Sequence, residues 1–127
     1  MKRQLGILFL VFALVPALVH GFGVTKVINS IRAIPAKYQC PLTLKFHADI
    51  TTDGACDVKF SWLRSDGFRT PEVIVHFDRA ETKPVYYDWT LPVWNPVPAL
   101  QRVRVEVVSP NHVNSNWAGA SVNCRPR

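Results

Sequence analysis

From Leu42 to Thr51 the chain alternates without a break, with apolar Leu42, Leu44, Phe46, Ala48 and Ile50 interleaved with Thr43, Lys45, His47, Asp49 and Thr51. A period of two sends successive side chains to opposite faces, so the segment reads as a strand with one buried face and one wet face. Wound as a helix, the same residues would scatter the apolar set around the whole circumference. Beyond Phe22 no stretch holds a helical period for three turns, while Val, Thr, Phe, Tyr and Trp are plentiful between proline and Asp-Gly breaks. That pattern commits the chain to β structure.

Seven candidate strands, A to G, follow from this reading. Strand A, about Val24 to Ile34, is the least regular, and strand B is the segment above. Asp53-Gly54 turns B into strand C, which places Val58, Phe60 and Trp62 on one face and Asp57, Lys59 and Ser61 on the other; Asp66-Gly67 ends it. Strand D, about Glu72 to Phe77, is expected to turn Val73, Val75 and Phe77 inward. Strand E, about Thr82 to Leu91, carries Val85, Tyr87 and Trp89 in one row, and Pro84 restricts its start to an edge or a bulge. Strand F sets Val103, Val105 and Val107 inward against Arg102, Arg104 and Glu106, and Ser109-Pro110-Asn111 closes it. Strand G, about Trp117 to Cys124, turns Ala118, Ala120, Val122 and Cys124 inward. Short alternating strands at this spacing predict an all-β, immunoglobulin-like sandwich of two antiparallel sheets, with a small barrel as the alternative.

The first residues have the order of a secretion signal: cationic Lys2 and Arg3, the apolar run Leu5 to Val19, then small Gly21, after which cleavage is expected. The run is shorter than the roughly 20 residues a bilayer span requires, and a retained signal anchor is the less favoured alternative. Residues 22–127 then form one exported domain, secreted or periplasmic, with no integral membrane segment after cleavage. Removing Lys2 and Arg3 from the 15 basic residues leaves 13 against 9 acidic ones. The excess is spread along strands and turns, without the dense basic run interleaved with aromatics that a nucleic-acid binder shows. A mildly cationic surface is favoured over a dedicated polyanion site, and nucleic acid is not an expected partner.

Two stretches, CPLTLKFHADITTDGACDVKFSWLRSDG from Cys40 to Gly67 and SPNHVNSNWAGASVNC from Ser109 to Cys124, together resemble a group of small exported bacterial immunoglobulin-like domains. The shared pattern is a Cys-Pro opening strand B, a Thr-x-Asp-Gly turn, an aromatic-x-Trp strand C ending in Ser-Asp-Gly, a Ser-Pro-Asn turn and a closing cysteine. The resemblance implies the sandwich fold and an exported location, and little about activity. The chain departs from it in the proline-rich, apolar stretch Leu91 to Leu100, and strand F lacks the tyrosine of a tyrosine corner.

An exported chain with three cysteines, Cys40, Cys56 and Cys124, cannot pair all of them internally. If strands B to G alternate up and down, the start of B and the end of G meet at one end of the sandwich. The start of C lies roughly 30 Å away at the other end, since each strand residue advances about 3.3 Å. A disulfide needs Cα atoms within about 7 Å. Cys40 and Cys124 are therefore the expected pair, and Cys56 is expected as a buried thiol in phase with Val58 and Phe60; a dimer linked through Cys56 is the less favoured arrangement.

Chemistry is sparse. His47, His76 and His112 lack the close spacing of a metal motif, and Asp49, Asp53 and Asp57 do not have the spacing of an EF-hand loop. Nucleophile-elbow, phosphate-loop and dinucleotide motifs are absent, so no enzyme, cofactor or metal is expected. The segment LPVWNPVPAL, Leu91 to Leu100, stands out instead. Pro92, Pro96 and Pro98 stiffen it while Val93, Trp94 and Val97, with Asn95, put apolar surface where a connection is normally polar. Val93, Trp94, Asn95 and Val97 are the candidate binding residues; Trp94 folding back to cap the sandwich is the competing account, and Trp117 is expected to pack into the core. The expected function is a non-catalytic exported module recognising a protein or glycan through its loops, the alternative being a small secreted effector or inhibitor of an extracytoplasmic enzyme.

Overall fold

The computed structural model describes residues 21–33, 41–91 and 99–122; residues 1–20, which hold most of the expected signal peptide, lie outside them. Along the chain the strands are β1 (Val24–Ala33), β2 (Leu42–Thr52), β3 (Cys56–Arg64), β4 (Val73–Phe77), β5 (Thr82–Leu91), β6 (Ala99–Ser109), β7 (Val113–Asn114) and β8 (Ala118–Val122). One sheet has the order β1-β2-β5, the other runs β4-β3-β6-β7, and β8 also pairs with β6. Every pairing is antiparallel. The two sheets share no strand pair among the described residues, so the fold is an immunoglobulin-like sandwich and not a closed barrel.

The alternation of β2 sets the packing. Leu42, Leu44, Phe46, Ala48 and Ile50 are all buried, and they form one core with Val58, Phe60 and Trp62 of β3, Val85 and Trp89 of β5, and Val103, Val105 and Val107 of β6. Fully burying one such large side chain stabilises the fold by roughly 1.5–3 kcal/mol. On the wet face, β2 and β5 pair without a register shift from Leu42↔Leu91 to Thr51↔Thr82. Cross-strand partners there match in kind: Thr43 with Thr90 at 2.9 Å, Lys45 with Asp88 at 3.3 Å and Thr51 with Thr82 at 2.7 Å. Pro84 sits in β5, an edge strand, as its missing N–H requires.

The far side of the domain carries the expected strand G as β8 and adds a short strand, β7, between Asn111 and Trp117. β6 is 11 residues long, and two short strands share its edge: β7 opposite Glu106 and Val107, β8 opposite Ala99 to Val103. Between them Ser115 keeps the ladder closed. Its N–H donates to the Val105 carbonyl at 2.9 Å, and its hydroxyl accepts the Val105 N–H at 2.8 Å while donating to the Asn116 carbonyl. β8 approaches β6 closely because Gly119 stands opposite Arg102; a Cβ there would overlap the Gln101 carbonyl oxygen and the Arg102 Cα. Gly119→Ala should therefore push β8 off β6 and cost about 1–3 kcal/mol, read as a lowered denaturation midpoint at unchanged slope.

β1 is held from both sides. It pairs with β2 along one edge, and two asparagine side chains grip its backbone from the other. Val24 N–H donates to Asn111 Oδ1 and Asn111 Nδ2 donates to the Val24 carbonyl, both at 2.9 Å. Asn116 repeats the grip on Asn29, accepting its N–H at 2.9 Å and donating to its carbonyl at 2.8 Å. Each amide presents the donor and acceptor that a neighbouring strand would present. The turns behave individually: Gly67 adopts φ 94°, a conformation that only glycine takes without strain, whereas Gly54 is needed because the Phe22 ring lies directly over it.

Three side chains sit otherwise than the alternation predicts. Val73 is 49% exposed instead of buried, because β4 lies at the open edge of its sheet. Ser61 is buried although it faces outward, opposite Glu106, the carboxylate on which Arg69 and Arg104 converge. Trp117 is half-buried on the outer face of the second sheet, against the Arg102 and Arg104 guanidiniums, and not in the core. An arginine-rich outer layer buries polar and aromatic groups that a simple inside-outside rule leaves wet or sends to the core.

Candidate functional site

The expected disulfide partners Cys40 and Cys124 and the expected binding residues Val93, Trp94, Asn95 and Val97 lie outside the described residues. Their described neighbours fix one end of the sandwich. Leu42 pairs with Leu91 and Ala99 with Val122, so β2 starts, β5 ends, β6 starts and β8 ends at the same pole. Cys56 starts β3 at the opposite pole, across from Phe77. Its thiol is half-buried against the core and has no disulfide partner among the described residues. Burial first, then the carboxylates of Asp53 and Asp57, push its pKa up, which keeps the thiol protonated and poorly nucleophilic.

Between the edges of β4 and β5 the two sheets part, and an open groove of about 420 Å³ runs along the side of the sandwich. Phe60, Trp62, Pro71, Val73, Val85 and Tyr87 line it. The Tyr87 ring stacks on Trp62 at 5.6 Å between centroids, so part of the hydrophobic core forms the groove floor. Apolar surface continues onto the rim, where Val73 and Tyr86 are about half exposed, while Ile74 lies on the opposite face of β4. The C-terminal end of β4 is guarded: Lys83 Nζ donates to the His76 carbonyl at 2.7 Å and lies over the Phe77 ring. A lysine on an edge carbonyl discourages strand addition there. No comparable side-chain hydrogen bond covers the backbone of Val73 to Val75 among the described residues.

The titratable clusters are ion pairs on outer faces. His76 Nδ1 is 2.5 Å from Asp57 Oδ1 and Nε2 is 2.8 Å from Asp78 Oδ1. The hydrogen bond to Asp57, then that to Asp78, raises the His76 pKa, so the imidazole tends to stay charged with both nitrogens occupied. His47 pairs with Asp49 at 2.9 Å and stacks on Tyr86, over which Arg32 also lies. No group of three or more His, Cys, Asp or Glu side chains among the described residues is arranged to hold a metal ion. On the second sheet, Trp117 lies 5.1 Å from the Arg102 guanidinium carbon and 4.8 Å from that of Arg104.

The described residues thus form an immunoglobulin-like sandwich with an open groove between two sheet edges. No protein-family model matches the chain, and no curated protein matches it. Among solved structures it is similar to the CARDB domain of a Pyrococcus furiosus protein, crystallised in complex with di-metal ions, with a TM-score of 0.54 at 15% identity over 85% of this chain and 100% of that one. It also matches part of the β-glucuronidase of Bifidobacterium dentium, with a TM-score of 0.47 at 14% identity, over 80% of this chain and 17% of the enzyme. At such identity the first likeness establishes a shared fold. The groove, the Asn111 and Asn116 grips and the Arg-Trp-Arg cluster were not expected from the sequence; only the asparagine-rich run Asn111, Asn114 and Asn116 hinted at side chains capable of local backbone pairing.

Proposed function

We propose that this domain is a non-catalytic recognition module working outside the cytoplasm, which binds a protein partner along the β4-β5 side and through the Leu91 to Leu100 connection. One observation carries the reading: the apolar groove between the two edges, rimmed by exposed Val73 and Tyr86 beside an unguarded stretch of strand backbone. Exposed edges and apolar rims of this kind are normally blunted or covered. An extended segment laid along β4 satisfies its backbone groups and places alternate side chains in the groove. β5 leads from groove residues Val85 and Tyr87 to Leu91, where the proline-stiffened connection carrying Trp94 begins. A preorganised tryptophan there adds apolar contact at low entropic cost.

The test is partner capture from periplasm and culture medium, compared between the parent and the variants Val73→Lys and Trp94→Ala. Both should keep the parent's denaturation midpoint while capture of the same partner falls at least about tenfold, a loss of about 1.4 kcal/mol in binding. Undiminished capture by Val73→Lys would remove the groove from the site. A stability loss of about 3 kcal/mol or more in Trp94→Ala, the size seen for large aromatic truncations in cores, would assign Trp94 to capping the sandwich and end its role in binding.

A further inference from the structure

We propose a second binding site, on the outer face of the β4-β3-β6 sheet, for an acidic polysaccharide, built from Arg102, Arg104 and Trp117. Arg102 and Arg104 are two residues apart on β6 and both point outward, about 6.7 Å from one another along the strand. Val103 pairs with Ala118 and Arg102 with Gly119, so Trp117 follows in register beside Arg104. Gly119 puts no side chain opposite Arg102, and both guanidiniums come to rest against the single indole at 5.1 and 4.8 Å.

The charges around this cluster do not balance. The guanidiniums of Arg104 and Arg69 converge on the one carboxylate of Glu106. Arg102 has no carboxylate partner among the described residues, and its buried Nε has no hydrogen-bond acceptor among them. Two guanidiniums thus share one carboxylate and the third, that of Arg102, has none among the described residues. Contact with the indole strips part of the hydration of both guanidiniums, and the Arg102 N–H groups other than its buried Nε are the natural donors for a bidentate anion. Arg104 already gives its Nε and Nη2 to Glu106, so the pair presents the terminal Nη1 and Nη2 of Arg102 with the remaining Nη1 of Arg104 one strand step away, a row of donors that suits a linear chain bearing repeated carboxylates or sulfates better than a single small ion.

Other polyanions fit this face less well. A single-stranded nucleic acid needs open aromatic faces on which successive bases stack, and the one aromatic here is already covered by arginine. A membrane surface site would present a cluster of apolar side chains for insertion beside its cations; on β6 Leu100 is the single exposed large hydrophobic beside Arg102, and the exposed Val73 and Tyr86 lie at the groove instead. The site is independent of the groove and uses none of its residues.

Binding of the exported protein to heparin and to polygalacturonate at low salt tests the proposal and separates sulfate from carboxylate recognition. The parent should bind at least one of the two, and Arg102→Gln should weaken that binding about tenfold, as loss of a bidentate charge-assisted contact does. Arg102→Lys, which keeps the charge and loses the planar fork, should also bind less tightly than the parent and decides the matter if Arg102→Gln proves unfolded. Lys26→Gln, which removes the same charge from an exposed position on the other sheet, should change binding less than about twofold. Equal losses in Lys26→Gln and Arg102→Gln would reduce the effect to net charge and overturn the site. So would failure of the parent to bind either polymer, full affinity in Arg102→Lys, or tighter binding to anionic phospholipid vesicles or single-stranded DNA than to both polysaccharides.

Discussion

Cys124→Ser is expected to destabilise the exported domain by about 4 kcal/mol, the loop-entropy contribution of a bridge that closes most of the chain, whereas Cys56→Ser should cost well under half of that. The topology supports the pairing without including the two sulfurs. Cys40 lies two residues before the start of β2 and Cys124 two residues after the end of β8, and those strand ends share one pole. Cys56 begins β3 at the other pole, where its half-buried thiol packs on the core. With about 10 Å between facing sheets, two residues of chain at each side suffice to bring the sulfurs within bonding distance. Peptide mapping without reduction should recover a Cys40 to Cys124 linkage, and the melting temperature of the parent in reductant should fall to that of Cys124→Ser. A linkage involving Cys56, or a reductant-insensitive melt, would refute the pairing.

How much of this could be read in advance depends on where each residue's partners come from. β2, β3, β5 and β6 were legible because their alternation is imposed by a facing sheet that covers one side of each. Val73 broke the pattern because periodicity reports which face a residue occupies, not whether anything lies opposite; at the open edge of the sandwich the inward face of β4 is a groove wall. Ser61 and Trp117 failed for the complementary reason. Arg69, Arg102 and Arg104 cover the outer face, and long cationic side chains can bury neighbours that pattern reading assigns to water or to the core. The extra strand β7 ahead of β8 depends on Ser115 completing a ladder with its hydroxyl, a local bond that carries no periodic signal. The groove itself belongs to no single segment: β3, β4 and β5 each contribute to its wall, and only tertiary structure assembles it.

The asparagine grips on β1 give the other large expected effect. Asn111→Ala and Asn116→Ala should each destabilise the domain by about 2 kcal/mol, because each leaves one N–H and one carbonyl of β1 without the partner they have in the folded state. The gripped residues, Val24 and Asn29, are five apart on an extended strand, about 16 Å, so the losses should add to about 4 kcal/mol in the double variant. Asn29 is also buried and its side chain donates to the Val103 carbonyl at 2.9 Å, so the Asn116 grip lies where β1 meets the second sheet. Asn116→Asp separates a two-point grip from simple packing. The substitution keeps size and the acceptor that receives the Asn29 N–H, but it turns a second acceptor toward the Asn29 carbonyl, so it should cost at least as much as Asn116→Ala. Amide exchange gives the local readout: Asn29 N–H should lose protection in both Asn116 variants and Val24 N–H in Asn111→Ala, while the β2-β5 ladder keeps its protection relative to global stability. If Asn116→Asp proves as stable as the parent, or Asn29 exchanges no faster in it, the two-point grip is not what fastens β1 to the rest of the sandwich.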